Sequence, residues 1–270
     1  MEPYSLQAQL KDPGAAPPRF SDEEWELRVK LAACYRLIDL YGMTDMIYNH
    51  ASARVPGPDH HFLINPFGLR YAEITASSLL KVDIDGREIY NPWRSYGINN
   101  AGYVIHSAIH RALPAVECII HTHTPHGMAV SSLECGLLPL TQTAMRFGKV
   151  AYHDYEGVVL DLEEQGRLIA NLGDAEVMIL RNHGLLAVGA SVEQAFNNIY
   201  RLERSCHTQL LAMSAGSPLV RPKPEVVRRT NQQLSLQPSA GKPGDHKPYG
   251  VLEWPGLLRW LDSIDPSYRT

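Results

Sequence analysis

No stretch of this chain stays apolar for the roughly 18 residues that a membrane span requires. Its start, MEPYSLQAQLKDPG, has no apolar core like that of a secretion signal. A soluble cytoplasmic protein without a membrane partner is the expectation. A basic excess is also missing: 25 Lys and Arg stand against 29 Asp and Glu, a net charge of −4. Nucleic-acid binders usually carry the opposite sign, so no nucleic-acid partner is expected. The four cysteines, Cys34, Cys118, Cys135 and Cys206, include no CxxC pair. In a chain this long they do not read as a disulfide framework but as buried small apolar residues. No internal repeat is visible. Hydrophobic residues at 44% and charged residues at 20% leave room for a sizeable core. What stands out is histidine: there are 12, with a cluster between His106 and His126.

Residues 1–20, with Pro13, Gly14, Pro17 and Pro18, read as an N-terminal arm. A helix is expected from Ser21, because SDEEW offers a Ser cap with Glu24 placed for a capping box. Trp25, Leu27, Leu31, Ala32, Tyr35, Leu37, Ile38 and Tyr41 follow at helical spacing, and Gly42 ends the run. NHASARV and FLINP read as a hairpin with a long loop, and LLKVDIDGREIY as a tighter one turning at Asp85-Gly86. AGYVIHSAIHRAL is a helix stopped before Pro114. VECIIHTHT is rich in strand formers, and EVMILRNHGLLAVG reads as two strands joined at Asn182-His183-Gly184. A long helix is expected from the Ser191 cap to Gly216. Residues 217–250, rich in Pro, Gly, Lys and Ser, read as a linker or wrapping tail, and GVLEWPGLLRWLDSI as a short amphipathic helix. The sum is one α/β domain over 21–216 with a mixed sheet, and a C-terminal extension over 217–270.

His121-Thr122-His123 carries the strongest local signal. Residues i and i+2 of a strand project from one face, so two imidazoles can grip one ion. Imidazole suits Zn, Cu, Fe and Ni. His183 lies at a strand end where Gly184 would let the backbone turn tightly. Catalytic zinc sites often take three protein ligands and leave a fourth position open. Spacing alone does not bring His183 to the pair.

Four segments in order, NHASARV (49–55), LINPFGLRYAEITASSLLKVD (63–83), HSAIHRALPAVECIIHTHT (106–124) and RNHGLLAVG (181–189), resemble the class II aldolase/adducin family. The resemblance covers about residues 20–216. It implies a three-layer α/β/α fold with a mostly antiparallel central sheet. It implies that His121, His123 and His183 bind a divalent ion, Zn2+ first. It implies that the ion stabilises the enediolate of a ketose or keto acid. It also implies a homotetramer.

The chain departs from the family pattern where a Ser-Ser-Glu motif would stand: Asn100-Ala101-Gly102 puts glycine at the position of the acid/base glutamate. Phe67 replaces a threonine of the phosphate-binding turn, and of that set Asn49 and Gly68 remain. A phosphorylated substrate is therefore not expected. Candidates for the missing acid/base are in the segment His153, Asp154, Tyr155, Glu156, of which Tyr155 and Glu156 rank first, and Asn100 is a candidate hydrogen-bond donor to an oxyanion. Arg54 and Arg70 are placed as carboxylate-binding candidates, Arg70 first. His106 is expected to be a buried, hydrogen-bonded helix residue. The expected function is a metal-dependent lyase, of aldolase or decarboxylase type, acting on a small hydroxy or keto acid or sugar-like carbonyl compound. The alternative is a non-catalytic adducin-like module with a structural or vestigial metal site.

Overall fold

The computed structural model describes residues 20–270 apart from 94, 158–161, 235–236 and 239–245. All but the last residue of the expected N-terminal arm lies outside the described residues. Helix α1 (Asp22–Leu40) begins where the sequence puts it: Ser21 Oγ accepts from the Glu24 amide at 3.1 Å. Such a cap contributes about 1 kcal/mol. The expected capping box is only half built. The Glu24 carboxylate turns away to Arg28 Nε at 3.0 Å and Lys81 Nζ at 2.8 Å, because the buried Arg28 guanidinium needs a counter-charge.

Eight strands make one sheet in the order β4-β3-β2-β1-β5-β8-β7-β6. They are β1 (His50–Arg54), β2 (Phe62–Ile64), β3 (Leu80–Val82), β4 (Glu88–Tyr90), β5 (Cys118–Thr122), β6 (Ala151–His153), β7 (Val177–Leu180) and β8 (Gly184–Gly189). Every neighbouring pair is antiparallel except β6 with β7. Both expected hairpins, β1–β2 and β3–β4, are present.

Alternation along the strands sorts two apolar layers. Ala51, Ala53, Cys118, Ile120, Leu185 and Ala187 pack beneath α1 and α6 (Val192–Ser214). Ile119, Leu186 and Val188 face the other way, against α2 (Asn100–Ala112) and α5 (Leu162–Leu172). The sheet is thus sandwiched between helices, the expected three-layer arrangement. Short helices α3 (Pro125–Ser131) and α4 (Gln142–Met145) sit over α6.

The stretch 217–250, read as a linker or wrapping tail, contains helix α7 (Pro224–Gln233), opened by Pro224 at its first position. Its polar composition hid it, as it buries no residue. A two-residue strand pair, Gln237–Pro238 with His246–Lys247, follows. The final helix α8 (Trp254–Ile264) packs on its own domain: Trp254, Leu261 and Tyr268 are buried, and Arg36 holds Asp265 at 3.0 Å. Four free cysteines are present as expected, although Cys135 is exposed rather than buried. Among the described residues no helix is long and apolar enough to cross a membrane.

Candidate metal centre

Cross-strand register builds the centre. His121 on β5 pairs with His50 on β1, and both lie on the face that carries α2. His123 follows one residue beyond the end of β5. His183 sits in the turn between β7 and β8. The tight turn expected at Gly184 is made two residues earlier, by Asn182 at φ 55°. An asparagine tolerates that left-handed backbone better than most residues. Gly184 is needed for a different reason: a Cβ there would overlap the Thr122 carbonyl oxygen of the neighbouring strand. Removing that Cβ lets β8 close on β5 and carries His183 to His121 and His123.

The three ligand nitrogens lie within 4.8 Å of one another. A neutral imidazole has one N–H. His121 spends its N–H through Nδ1 on the Leu185 carbonyl at 2.9 Å, and His123 through Nδ1 on the Asp45 carboxylate at 3.2 Å. Both Nε2 atoms then carry lone pairs, yet they stand 2.8 Å apart, and His123 Nε2 is 2.9 Å from His183 Nε2. A proton on His121 or His183 does not resolve the conflict. Burial, with His50, His183 and His123 nearby, holds His121 well below the ordinary histidine range. Burial and then His123 push His183 down to about 4. Facing lone pairs repel unless a cation lies between them, so the arrangement fits a divalent ion. The Leu185 and Asp45 partners are the outer hydrogen bonds that fix the orientation of such ligands.

A cavity of about 590 Å³ opens onto these rings. Its wall is mostly apolar, from Tyr48, Phe67, Ile105, Met128 and Tyr155, with the amides of Asn99 and Asn182 among them. Among the described lining residues there is no lysine or arginine.

The structure brings some of the remaining candidates here and leaves others out. Tyr155 lines the cavity, its ring centroid 6.2 Å from that of His183. Asn100 is exposed at the start of α2, and its neighbour Asn99 lines the cavity instead. Glu156 is turned to Arg167 in an exposed ion pair, which holds its carboxyl below the usual range. His153 is buried and takes a hydrogen bond from Asn171 Nδ2 at 2.9 Å. Asn49 is buried and ties the preceding loop through Nδ2 to the Met43 carbonyl at 3.0 Å. Gly68 sits with φ 134° against the Tyr96 ring. Arg70 is exposed beside Glu73 at 3.5 Å. Arg54 donates to the backbone carbonyls of His110 and Val116 and so clamps the end of α2. His106 is fully buried and hydrogen-bonded, as expected.

Sequence reasoning missed Asp45, Tyr48, Ile105, Met128 and His50. One signal was available for His50: it stands beside Asn49 at the head of the strand that pairs with HxH.

The model of the Class II Aldolase and Adducin N-terminal domain matches residues 29–210. An aldolase II superfamily protein from Pseudomonas syringae is 52% identical with a TM-score of 0.86, over 93% of this chain and 98% of that one. The L-fuculose 1-phosphate aldolase from Glaciozyma antarctica is 31% identical with a TM-score of 0.79, over 94% of this chain and 97% of that one. Alpha-adducin of Rattus norvegicus is 45% identical over 90% of this chain, which spans 34% of adducin's length. The match over most of the chain, and the agreement of fold with both solved structures, show that this protein belongs to the class II aldolase and adducin family.

Proposed function

We propose that this chain is a metal-dependent carbon–carbon lyase, of aldolase or decarboxylase type. Its substrate is a small hydroxy or keto acid or sugar-like carbonyl compound that needs no phosphate. The observation that carries the reading is the pair of lone-pair-bearing Nε2 atoms of His121 and His123, 2.8 Å apart at the base of a cavity. His121, His123 and His183 hold one divalent ion, and three imidazoles favour Zn2+. When bound there, the ion acts as a Lewis acid that draws off the charge growing on a carbonyl oxygen as the neighbouring carbon–carbon bond breaks.

The chain's own residues do the rest. Leu185 and Asp45 keep two imidazoles aimed inward. Tyr48, Phe67, Ile105 and Met128 give the wall an apolar surface that favours a substrate with an apolar part. The lack of a cationic residue among the described lining residues supports a substrate without phosphate. Tyr155 is the sequence-derived acid/base candidate that reaches the cavity. Asn49, Gly68, Arg70, Asn100 and Glu156 are not among its described lining residues. A cytoplasmic homotetramer belongs to the same reading, and light scattering that returned the mass of one chain would contradict the assembly.

The test is turnover. Zinc-loaded protein should cleave at least one unphosphorylated hydroxy or keto acid, with release of an aldehyde or carbon dioxide, and His123→Ala should not. The 45% identity to alpha-adducin favours a second reading, a non-catalytic module with a structural metal. Metal retention with no cleavage across the panel would select it.

A further inference from the structure

A second group of histidines lies behind the first, on the same face of the sheet. His50 Nδ1 is 2.8 Å from His106 Nε2. His106 Nδ1 is 2.6 Å from Ser52 Oγ, which is 2.9 Å from His110 Nε2. All four residues are buried. His50 alone reaches the cavity, and with Nδ1 engaged, the atom it has left to present there is Nε2. Its ring lies 5.0 Å from that of His121. The space it fills is taken from Gly102: a Cβ on that residue would lie 2.5 Å from His50 Nε2 and 2.8 Å from Cγ. Ring and side chain cannot both be present, so a bare backbone at 102 and an imidazole at 50 are one arrangement.

The chain of hydrogen bonds sets which form of His50 faces the cavity. Each neutral imidazole has one N–H and one lone pair, and the buried Ser52 hydroxyl finds only His106 and His110 to donate to among the described residues, so with Ser52 donating to one and accepting from the other all three links run in one direction. The far end decides it. His110 Nδ1 is buried with no hydrogen-bond partner. The Val116 carbonyl lies close enough to favour a charged His110, but it makes no geometrically sound hydrogen bond with Nδ1 and accepts from Arg54 Nε at 3.3 Å. A buried lone pair is cheaper to leave unpaired than a buried N–H. His110 therefore donates through Nε2 to Ser52, Ser52 to His106, and His106 to His50 Nδ1, which leaves an N–H on His50 Nε2.

The chain is not a proton sink. A proton passed inward would charge His110, which burial and the nearby Arg54 hold down at about 3. Its role is to fix a tautomer.

We propose that His50 is a substrate-contacting residue of this site: its neutral Nε2–H donates a hydrogen bond to the substrate oxygen that gains charge, and His106, Ser52 and His110 are positioning residues that hold it in that tautomer. This rests on the cavity being the site of carbonyl chemistry. A donor aimed at developing charge, in a cavity with a mostly apolar wall, is the kind of group that lowers such barriers.

The test uses zinc-loaded full-length protein and acetohydroxamate, a small anionic mimic of the charged intermediate, with binding followed by calorimetry. Wild type should bind. His50→Phe should bind roughly tenfold to a hundredfold more weakly while keeping its zinc, the size expected for one hydrogen bond to a charged group. His50→Gln, which keeps an N–H donor, should recover most of the loss. Gly102→Ala, which leaves the chemistry of residue 50 untouched but displaces its ring, should weaken binding as His50→Phe does. Long-range 1H–15N spectra of the wild type should show Nε2 of His50 protonated and Nδ1 bare, and Ser52→Ala should mix the two forms. If His50→Phe binds like wild type, or the wild-type spectrum shows a bare Nε2, the role of His50 is overturned and the lyase reading stands. If zinc-loaded wild type binds no acetohydroxamate, both fall together.

Discussion

Two sets of three histidines share one face of the same sheet and behave in opposite ways. In the inner set, His50, His106 and His110, every link through nitrogen or Ser52 joins a donor to an acceptor, and the rings are buried. In the outer set, His121, His123 and His183, donors are spent on Leu185 and Asp45, and the remaining nitrogens face one another. The inner set is nearly complete without a ligand, and the outer one asks for a cation. Each is fenced by a glycine whose missing Cβ makes the approach possible, Gly102 for the inner set and Gly184 for the outer. What an imidazole does here is decided by where its single N–H is sent, not by its being histidine.

The largest effect should come from breaking the outer fence. A methyl added in Gly184→Ala would meet a backbone carbonyl, which cannot swing away. We expect at least about 3 kcal/mol of lost stability in urea unfolding, together with loss of metal binding. Asp45→Asn sharpens the contrast at less cost, because it weakens the partner of His123 and leaves the inner set alone. Metal affinity should fall roughly 10- to 100-fold by competition with a chelator, with unfolding little changed. Ser52→Ala does the reverse. It strands two buried imidazole nitrogens and should cost about 1–3 kcal/mol, with metal stoichiometry intact.

Acidity should also test the inner set in metal-free protein. His110 has its ordinary value of 6.5 lowered to about 3, so the unfolded chain takes up the proton first. Its contribution to stability is present above the unfolded value and is lost as pH falls from 6.5 toward 3. The urea midpoint should therefore drop across that window, less steeply in His110→Phe. The smallest effect is expected of Glu156→Gln, which alters an exposed ion pair belonging to neither set and should leave metal binding and stability unchanged.

Much of this was legible in the sequence, for reasons that differ by element. The Ser21 and Ser191 caps, the Asp85-Gly86 turn and the helical spacing along α1 are local signals, and they placed their elements correctly. His121 and His123 were found because strand alternation is a local rule. His183 needed the family, since the closure of β8 on β5 brings together residues 60 apart. His50 was hidden for the same reason: its meaning comes from the β1–β5 register and from the empty space over Gly102, neither of which a motif contains. Helix α7 was missed because it buries nothing, so no apolar period marks it. Asn100 was named from the stretch that matches the family motif and Glu156 for its ionisable side chain; in the structure Asn99 lines the cavity and Glu156 pairs with Arg167.

The claim on which the account turns is that the outer histidines hold one divalent ion. Elemental analysis of freshly purified wild type and His123→Ala tests it most directly. The account predicts about one ion per chain, zinc foremost, in the wild type and its loss in the variant. A wild type that stays free of metal after reconstitution, or a variant that retains the ion, would contradict it.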